Sequence, residues 1–461
     1  MLDTAAIRAV DQNEELLTGL ARRIWEHPET AYQEVQACKW TAEVLEQAGF
    51  RVEVGAAGLP TAIRAEWGQG HPVIGFLGEY DALPGLSQKV STTKEPVEQG
   101  APGQGCGHNL LGVSCVGAAL AMKAELEERG LPGTVVFYGC PGEEVLTGKA
   151  FMARGGAFRE LDAAFSWHGA SDNHLSIGTM TGLNSAVFHF KGVTAHAGGD
   201  PHNGRSALDA VELMNVGCNY LREHVTSDVR MHYVITEGGT APNIVPDSAS
   251  VWYYVRAMSR EAVEDTYRRL LLVADGAARM TETQLEVEFK GGCYNTLNPV
   301  LLSNLTHDVM EQIPLPEWTE EEKAFADALN RQSPQYEALK AAGRLENGPL
   351  CSWIEPVEKR DGYGSTDVGD VMHIVPCVQV MTATCNLAAP GHSWQITACA
   401  GMSIGIKGML YGSKVMAAAA MKLVEQPELL EQAWEEFRTQ TKGKEYRCPI
   451  PAEIPVPQPN C

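Results

Sequence analysis

The sequence predicts an α/β fold: a mixed, mostly parallel sheet in one domain, interrupted by an inserted βαββαβ unit. Three observations carry this. Short apolar strands alternate with helical patterns over residues 1–183. The pattern changes between residues 184 and 292, and the alternation then resumes. Residues 1–183 and 293–461 are therefore expected to form one discontinuous domain around the insert 184–292. A chain of 461 residues also exceeds one ordinary core, so two domains are expected on length alone.

The elements follow in order. The acidic N-terminal stretch MLDTAAIRAVDQNEELL reads as a helix, followed by helices from Leu16 to Trp25 and from Glu34 to Ala48. Strands are expected at Thr61–Trp67 and Val73–Gly78, then a long Gly-rich connection. Leu110 to Arg129 reads as a helix with small residues on one face, Gly133 to Gly139 as a buried strand and Ala163 to Trp167 as another. The insert runs strand (SAVFHFKG), helix (SALDAVELMNVGCNYLREHV), strand (RMHYVITEG), strand (SASVWYYVRA), helix (REAVEDTYRRLLLVADGAARM) and strand (TQLEVEFKG). That order is the ferredoxin-like split unit. A charged helical excursion follows between Gln312 and Asp361, then a strand at Cys377–Thr382 and a helix from Ser403 to Val424. The Pro-rich end CPIPAEIPVPQPNC is expected to be extended rather than packed.

Composition narrows the function. Acids outnumber Lys and Arg by 58 to 36, a net charge of -22, which argues against a nucleic-acid partner. The apolar stretches read as far short of the roughly 18 residues that cross a bilayer. With acids where a signal peptide has a basic start, no membrane partner and a cytoplasmic location are expected. Twelve cysteines without a C-x-x-C pair suggest neither a disulfide framework nor a zinc ribbon, so most are read as small buried hydrophobes.

Chemistry concentrates at the expected strand ends, where α/β sheets place their sites. The segments are GEYDALPG (Gly78–Gly85), GQGCGHN (Gly103–Asn109), GCPGEEV (Gly139–Val145), SWHG (Ser166–Gly169) and, beyond the insert, APGHSWQ (Ala389–Gln395). They offer a thiol, imidazoles and carboxylates, the donors a catalytic divalent metal takes. Cys106 and His108, two apart among glycines, can both point inward, and a cation would ionise the thiol. Glu143 and Glu144 are adjacent after a strand. An extended backbone would face them opposite ways, one toward a metal and the other toward a water. Singly, each has an ordinary structural role, as packed thiol, solvated acid pair or loop histidine; their recurrence at strand ends of one domain is what points to a metal. GQGCG lacks the lysine and spacing of a phosphate loop. GMSIG (Gly401–Gly405) has the nucleophile-elbow spacing, but no histidine follows His392, so Ser403 lacks a partner in that order.

In series, FYGCPGEE, WHG, GVTAHAGGDPHNGRSALDAVELMN, APNIVPDSA, GSTDVGDV and APGHSWQ resemble the carboxypeptidase G/aminoacylase-type dinuclear metallohydrolases, in the branch with a Cys-x-His loop. The resemblance runs over nearly the whole chain. It implies two divalent metal ions per chain, zinc or manganese, held by Cys106, His108, Glu144, His168 and His392. It makes Glu143 the base that moves a proton from water to the departing amine, and Asp81 the acid that orients a ligand. Glu79 stands where many relatives carry a metal-binding histidine. The insert becomes a lid and dimerisation domain, pairing with a second copy or a paralogous subunit. His196 would reach the partner's site to stabilise the oxyanion, and Asn243 and Arg256 would hold a substrate carboxylate. The expected reaction is cleavage of the amide of a small N-acyl amino acid, with p-aminobenzoyl-glutamate favoured over other acyl-amino acids or dipeptides. An inactive metal-bound subunit of a heteromer is the non-enzyme alternative.

Overall fold

The computed structural model describes residues 2–460. The chain opens with helices α1 (Ala5–Gln12), α2 (Glu14–Glu26) and α3 (Val35–Gln47), then strands β1 (Arg51–Val54), β2 (Ile63–Gln69) and β3 (Val73–Glu79). After the Gly-rich connection come α4 (His108–Arg129), β4 (Gly133–Cys140), α5 (Gly148–Arg154), β5 (Ala163–Ala170) and the short β6 (His174–Leu175). The insert comprises β7 (Gly182–Lys191), α6 (Ala207–Leu221), β8 (Arg230–Glu237), β9 (Ser248–Ala257), α7 (Arg260–Thr281) and β10 (Gln284–Cys293). The chain then forms α8 (Val300–Met310), α9 (Glu320–Asn330), α10 (Tyr336–Ala341), α11 (Val368–Met372), β11 (Cys377–Ala383), α12 (Trp394–Ala400), α13 (Ser403–Glu425) and α14 (Pro427–Thr441).

The larger sheet has the order β1-β2-β4-β3-β5-β11-β6. Its centre is parallel: β3 pairs with β4 and β5, and β5 with β11, while β1, β2 and β6 join antiparallel at the edges. The parallel strands are apolar along their length, as strands covered on both faces must be. One face packs on α4, α13 and the N-terminal helices; the other packs on α5, α11 and the chain end. The carboxyl ends of β3, β4 and β5 thus open at one edge of a three-layer sandwich, with the N-terminus of α4 beside them.

Two expectations are corrected here. Helix α4, at 22 residues, is long and apolar enough to cross a bilayer, contrary to the reading of the apolar stretches. It is instead the central core helix, buried along most of its length, and its small residues let neighbours close in: a Cβ at Gly112 would lie 2.5 Å from the Glu79 carbonyl oxygen. The Pro-rich end is extended but packed. Ile450 is buried, Ile454 and Val456 lie against the same core face, and Arg154 donates to the carbonyls of Pro451 and Ile454 at 2.8 and 2.9 Å. An extended segment without a ladder satisfies its carbonyls this way, through a side chain from the body it covers.

The insert forms a four-stranded antiparallel sheet, β10-β7-β9-β8, with α6 and α7 on one face around a core of its own. Alternation along β9 places Val251, Tyr253 and Val255 under the helices and leaves Trp252, Tyr254 and Arg256 on the open face. Strand β8 is an edge, and it exposes Tyr233, Val234 and Ile235; α6 exposes Leu213, Val216 and Tyr220.

Candidate metal centre

The Gly-rich loop before α4 brings Cys106 and His108 inward. Gly107 adopts φ +79°, a conformation open to glycine, and turns the backbone between them into the helix. Gly103 packs so tightly on Leu86 that a Cβ would lie 2.0 Å from its carbonyl oxygen. His108, the first residue of α4, is fully buried. Its Nδ1 donates to Asp81 Oδ1 at 3.0 Å, which leaves the Nε2 lone pair facing the cavity without a hydrogen-bond partner. Asp81 also accepts the backbone N–H of Glu144 on its other oxygen at 2.8 Å. One carboxylate therefore sets the tautomer of His108 and the position of Glu144.

His168, near the end of β5, is oriented in the same manner. Its Nδ1 donates to the Gly169 carbonyl at 2.6 Å, and its Nε2 faces Cys106 Sγ at 3.2 Å. Glu144 places one oxygen 3.7 Å from His392 Nε2, while the other is buried without a partner. His392 itself has φ +51° and is largely exposed. Donor atoms of Cys106, His108 and His168 converge within 4.8 Å of one another, as do those of Cys106, Glu144 and His392. The five residues expected as ligands are thus brought together.

The glutamate pair departs from expectation in its backbone. Gly142, at φ +68°, ends the extended run, and Glu143 and Glu144 sit in a single 3-10 turn. The two carboxylates still diverge: Glu143 lies 3.9 Å from His108 Nε2, and Glu144 turns toward Cys106 and His392. Turn geometry, not strand alternation, separates them. Glu34 fastens this turn from behind, accepting the N–H groups of Gly142 and Tyr32 at 2.9 and 2.8 Å and the Thr61 hydroxyl at 3.0 Å.

Beneath the cluster lies an ion network that the sequence did not disclose. Lys149 is fully buried, its ammonium 2.5 Å from Glu79 Oε1 and 2.6 Å from Asp367 Oδ1. Glu79 turns its other oxygen to within 3.4 Å of His108 Nε2. Only the GEYD and GSTD segments hinted at these acids, and nothing marked the lysine.

Electrostatics describe a site crowded with acids: burial pulls His108 down, yet Cys106 and Asp81 together hold it well above its usual range. Burial pushes the Cys106 thiol up to about 12 and Glu144 up to about 7, and it raises Glu143 well above the carboxylate range, with Glu79 and Asp367 adding to it. Burial lowers His168 to about 4, so its imidazole is neutral and free to ligate. Lys149 is the one ammonium in this network; burial pulls it down, but Asp367 and Glu79 together hold it well above its ordinary value. Lone pairs on His108 and His168, a half-buried thiol and unpaired carboxylate oxygens fit a divalent cation.

His196 and Asn243 lie elsewhere, side by side at the exposed tip of the insert. His196 Nδ1 accepts the N–H groups of Gly198 and Gly199 at 3.1 and 2.9 Å, which fixes its proton on the outward Nε2. Among the described residues, no hydrogen bond or ion pair joins either to the Cys106 cluster of the same chain. Arg256 is closer to the catalytic domain: its guanidinium donates to the Tyr363 carbonyl at 3.3 Å and to Ser365 Oγ at 3.0 Å.

Comparison with known proteins fits this geometry. The chain is 40% identical to one of the subunits of the p-aminobenzoyl-glutamate hydrolase of Escherichia coli (strain K12), over 98% of each chain. Residues 179–277 match the peptidase dimerisation domain model of the M20 family. The chain belongs to the M20 family. It is a hydrolase of that family's peptidase and amidohydrolase group. A mouse Xaa-Arg dipeptidase is 29% identical, over 95% of this chain and 92% of that one. The fold is that of a Bacillus subtilis dinuclear metal binding peptidase from the M20 family, with a TM-score of 0.59 at 19% identity, covering 90% of this chain and 99% of that one. In this M20 chain, then, the insert from β7 through most of α7 matches the dimerisation domain, and the strand-end cluster is the candidate metal centre.

Proposed function

We propose that the chain hydrolyses the amide bond of N-acyl amino acids, p-aminobenzoyl-glutamate first among them. The observation that carries this is the cluster of Cys106, His108, Glu144, His168 and His392 with Glu143 beside it, on a chain 40% identical to part of a p-aminobenzoyl-glutamate hydrolase. Two divalent ions, zinc or manganese, held by those five residues would lower the pKa of a water and polarise the scissile carbonyl. Asp81 keeps His108 and the Glu144 backbone in place through two hydrogen bonds. Glu143, buried on the Glu79 side of the cluster, takes the water's proton and delivers it to the departing amine nitrogen. His196 of a second subunit, its proton fixed on Nε2, donates to the developing oxyanion. Asn243 and Arg256 hold the substrate carboxylate, Arg256 from beside Ser365.

The exposed apolar residues on β8 and α6 support pairing of two subunits through the insert. A second copy of this chain is the proposed partner, and a paralogous chain is the alternative. The reaction is tested by loading the purified chain with zinc or with manganese. Release of p-aminobenzoate is then followed beside a panel of N-acyl amino acids and Xaa-Arg dipeptides. Cleavage of the acyl-glutamate is the expected result. Cleavage of the dipeptides alone, or of nothing by the chain without a paralogue, overturns the reading.

A further inference from the structure

On the open face of the insert, Arg230 of β8 stands directly opposite Arg256 of β9 in the strand register. Like charges directly opposite on neighbouring strands destabilise a sheet. No carboxylate among the described residues lies within 4.0 Å of either guanidinium, although Arg205, Arg260, Arg268, Arg269 and Arg279 of the insert each have one. Asp228, the nearest acid in sequence, spends its carboxylate on the Met258 N–H at 2.9 Å. Arg256 also carries a buried Nε–H with no hydrogen-bond partner.

The pair is held in place by packing. Arg230 stacks on the ring of Tyr363, 4.4 Å from its centroid, and donates to the carbonyls of Ser227 and Val229. Arg256 lies over Tyr254 at 5.4 Å and donates to the carbonyl of that same Tyr363 and to Ser365 Oγ. His232, next along the same face of β8, is kept below its usual range by burial and then by the fields of Arg256, Arg222 and Arg230. The corner where β8 meets β9 is therefore positive, and the acids on the same face, Glu286 and Glu288, lie on the far strand β10, paired with Lys191, His189 and Lys290.

Its position ties it to the metal centre. Ser365 is two residues from Asp367, a span of at most about 7 Å of backbone. Asp367 binds Lys149, which binds Glu79 beside His108. The segment 363–367 therefore runs from the arginine pair to the floor of the cluster.

We propose that Arg230 and Arg256 together form a subsite for an amino acid with two carboxylates, and that Arg230 is the residue that selects a second negative charge on the leaving group. This rests on the hydrolase reading above and deepens it. One guanidinium takes the α-carboxylate that any N-acyl amino acid offers; the second gives an acidic side chain an advantage. A basic side chain, as in an Xaa-Arg dipeptide, would meet like charge there.

The test compares wild type with Arg230→Gln and Arg230→Lys on p-aminobenzoyl-glutamate and p-aminobenzoyl-glutamine, together with calorimetric binding of glutarate. The ratio of kcat/KM for the glutamate over the glutamine substrate is expected to fall at least about tenfold in Arg230→Gln, the scale of one hydrogen bond to a charged group. Arg230→Lys is expected to restore part of it, and glutarate affinity is expected to follow. An unchanged ratio with unchanged glutarate binding overturns the subsite while leaving the hydrolase reading intact. If wild type cleaves neither substrate yet binds glutarate in a manner dependent on Arg230, the hydrolase reading fails and the dicarboxylate site stands.

Discussion

The ammonium of Lys149 lies 2.5 Å from the carboxylate of Glu79, both buried, directly beneath the imidazole of His108. With Asp367 it makes a three-member ion network between the end of β3 and the starts of α5 and α11. Removing one partner from such a network leaves uncompensated charge out of reach of water, at a cost of about 3–5 kcal/mol. Lys149→Met should therefore unfold at markedly lower urea concentration than wild type. Because Glu79 faces His108, the variant should also retain less zinc after dialysis. A variant as stable as wild type would show that the network carries no stability.

Glu143→Gln keeps the shape of the side chain but removes the proton acceptor. Turnover should fall by about 10²–10⁴, the range of a general base. Metal content, measured by elemental analysis, should stay at the wild-type level, since both groups of donors that converge on Cys106 leave Glu143 out, although Glu143 also converges with Glu79 and His108. Cys106→Ala should do the opposite and lose metal. Zinc added to the stripped wild-type protein should raise its Tm by mass action, and this shift should shrink in Cys106→Ala. Equal shifts in the two proteins would remove Cys106 from the ligand set.

How legible these roles are in the sequence varies with how local the cause is. The Cys106 loop, the His168 strand end and the βαββαβ insert follow from glycine spacing and hydrophobic period, which are local properties. The roles proposed for Glu143 and Glu144 rest on resemblance alone, because an extended backbone and the turn at Gly142 would both separate two neighbouring carboxylates. Lys149 was invisible: a lysine in the first turn of a short helix reads as solvated, and its partners lie 70 and 218 positions away. The packing of the Pro-rich end is hidden for the same reason, since the anchoring Arg154 is 297 residues from Pro451. Helix α14, by contrast, is marked locally: Leu429, Leu430, Ala433, Trp434 and Phe437 recur at helical spacing, and the first four turn toward the core.

Truncation after Arg447 tests that anchoring. It removes the buried Ile450 and the two carbonyl acceptors of Arg154. Burial of one such aliphatic side chain is worth about 1.5–3 kcal/mol, so the truncated chain should melt several degrees lower. An unchanged Tm would return the segment to the loosely extended state first expected of it.

Two groups on α11 pull stability in opposite directions with pH. Burial raises Asp370 from its ordinary 3.8 to about 7, although Tyr446 and the Tyr294 N–H hydrogen-bond to it. Its protonated form favours the folded state, so its contribution is complete below about pH 4 and is lost as pH rises through 7. Burial lowers His373 from 6.5 to about 4. Its contribution is complete above its ordinary value and is lost as pH falls through 4. Asp370→Asn imitates the protonated acid. In urea titrations it should match wild type near pH 4 and exceed it at pH 8, leaving only the histidine's acid-side slope. The same pH dependence in both proteins would exclude Asp370 as the titrating group.

His196 and Glu143 offer a decisive test of a shared site. His196 sits at the exposed tip of the insert with its Nε2 proton outward, and nothing among the described residues of its own chain receives it. If it completes the partner's centre, His196→Ala and Glu143→Gln should each be nearly inactive alone. Mixed after dissociation and reassembly, they form hybrids in which one centre has both an intact Glu143 and the partner's intact His196. Random pairing into two-fold dimers makes half of the dimers hybrid, with one good site of two, so about a quarter of wild-type activity should return. Val234→Lys on the exposed edge strand should abolish both the dimer, read by sedimentation, and the recovery on mixing. No recovery from a mixture shown to contain hybrids would confine each active centre to a single chain.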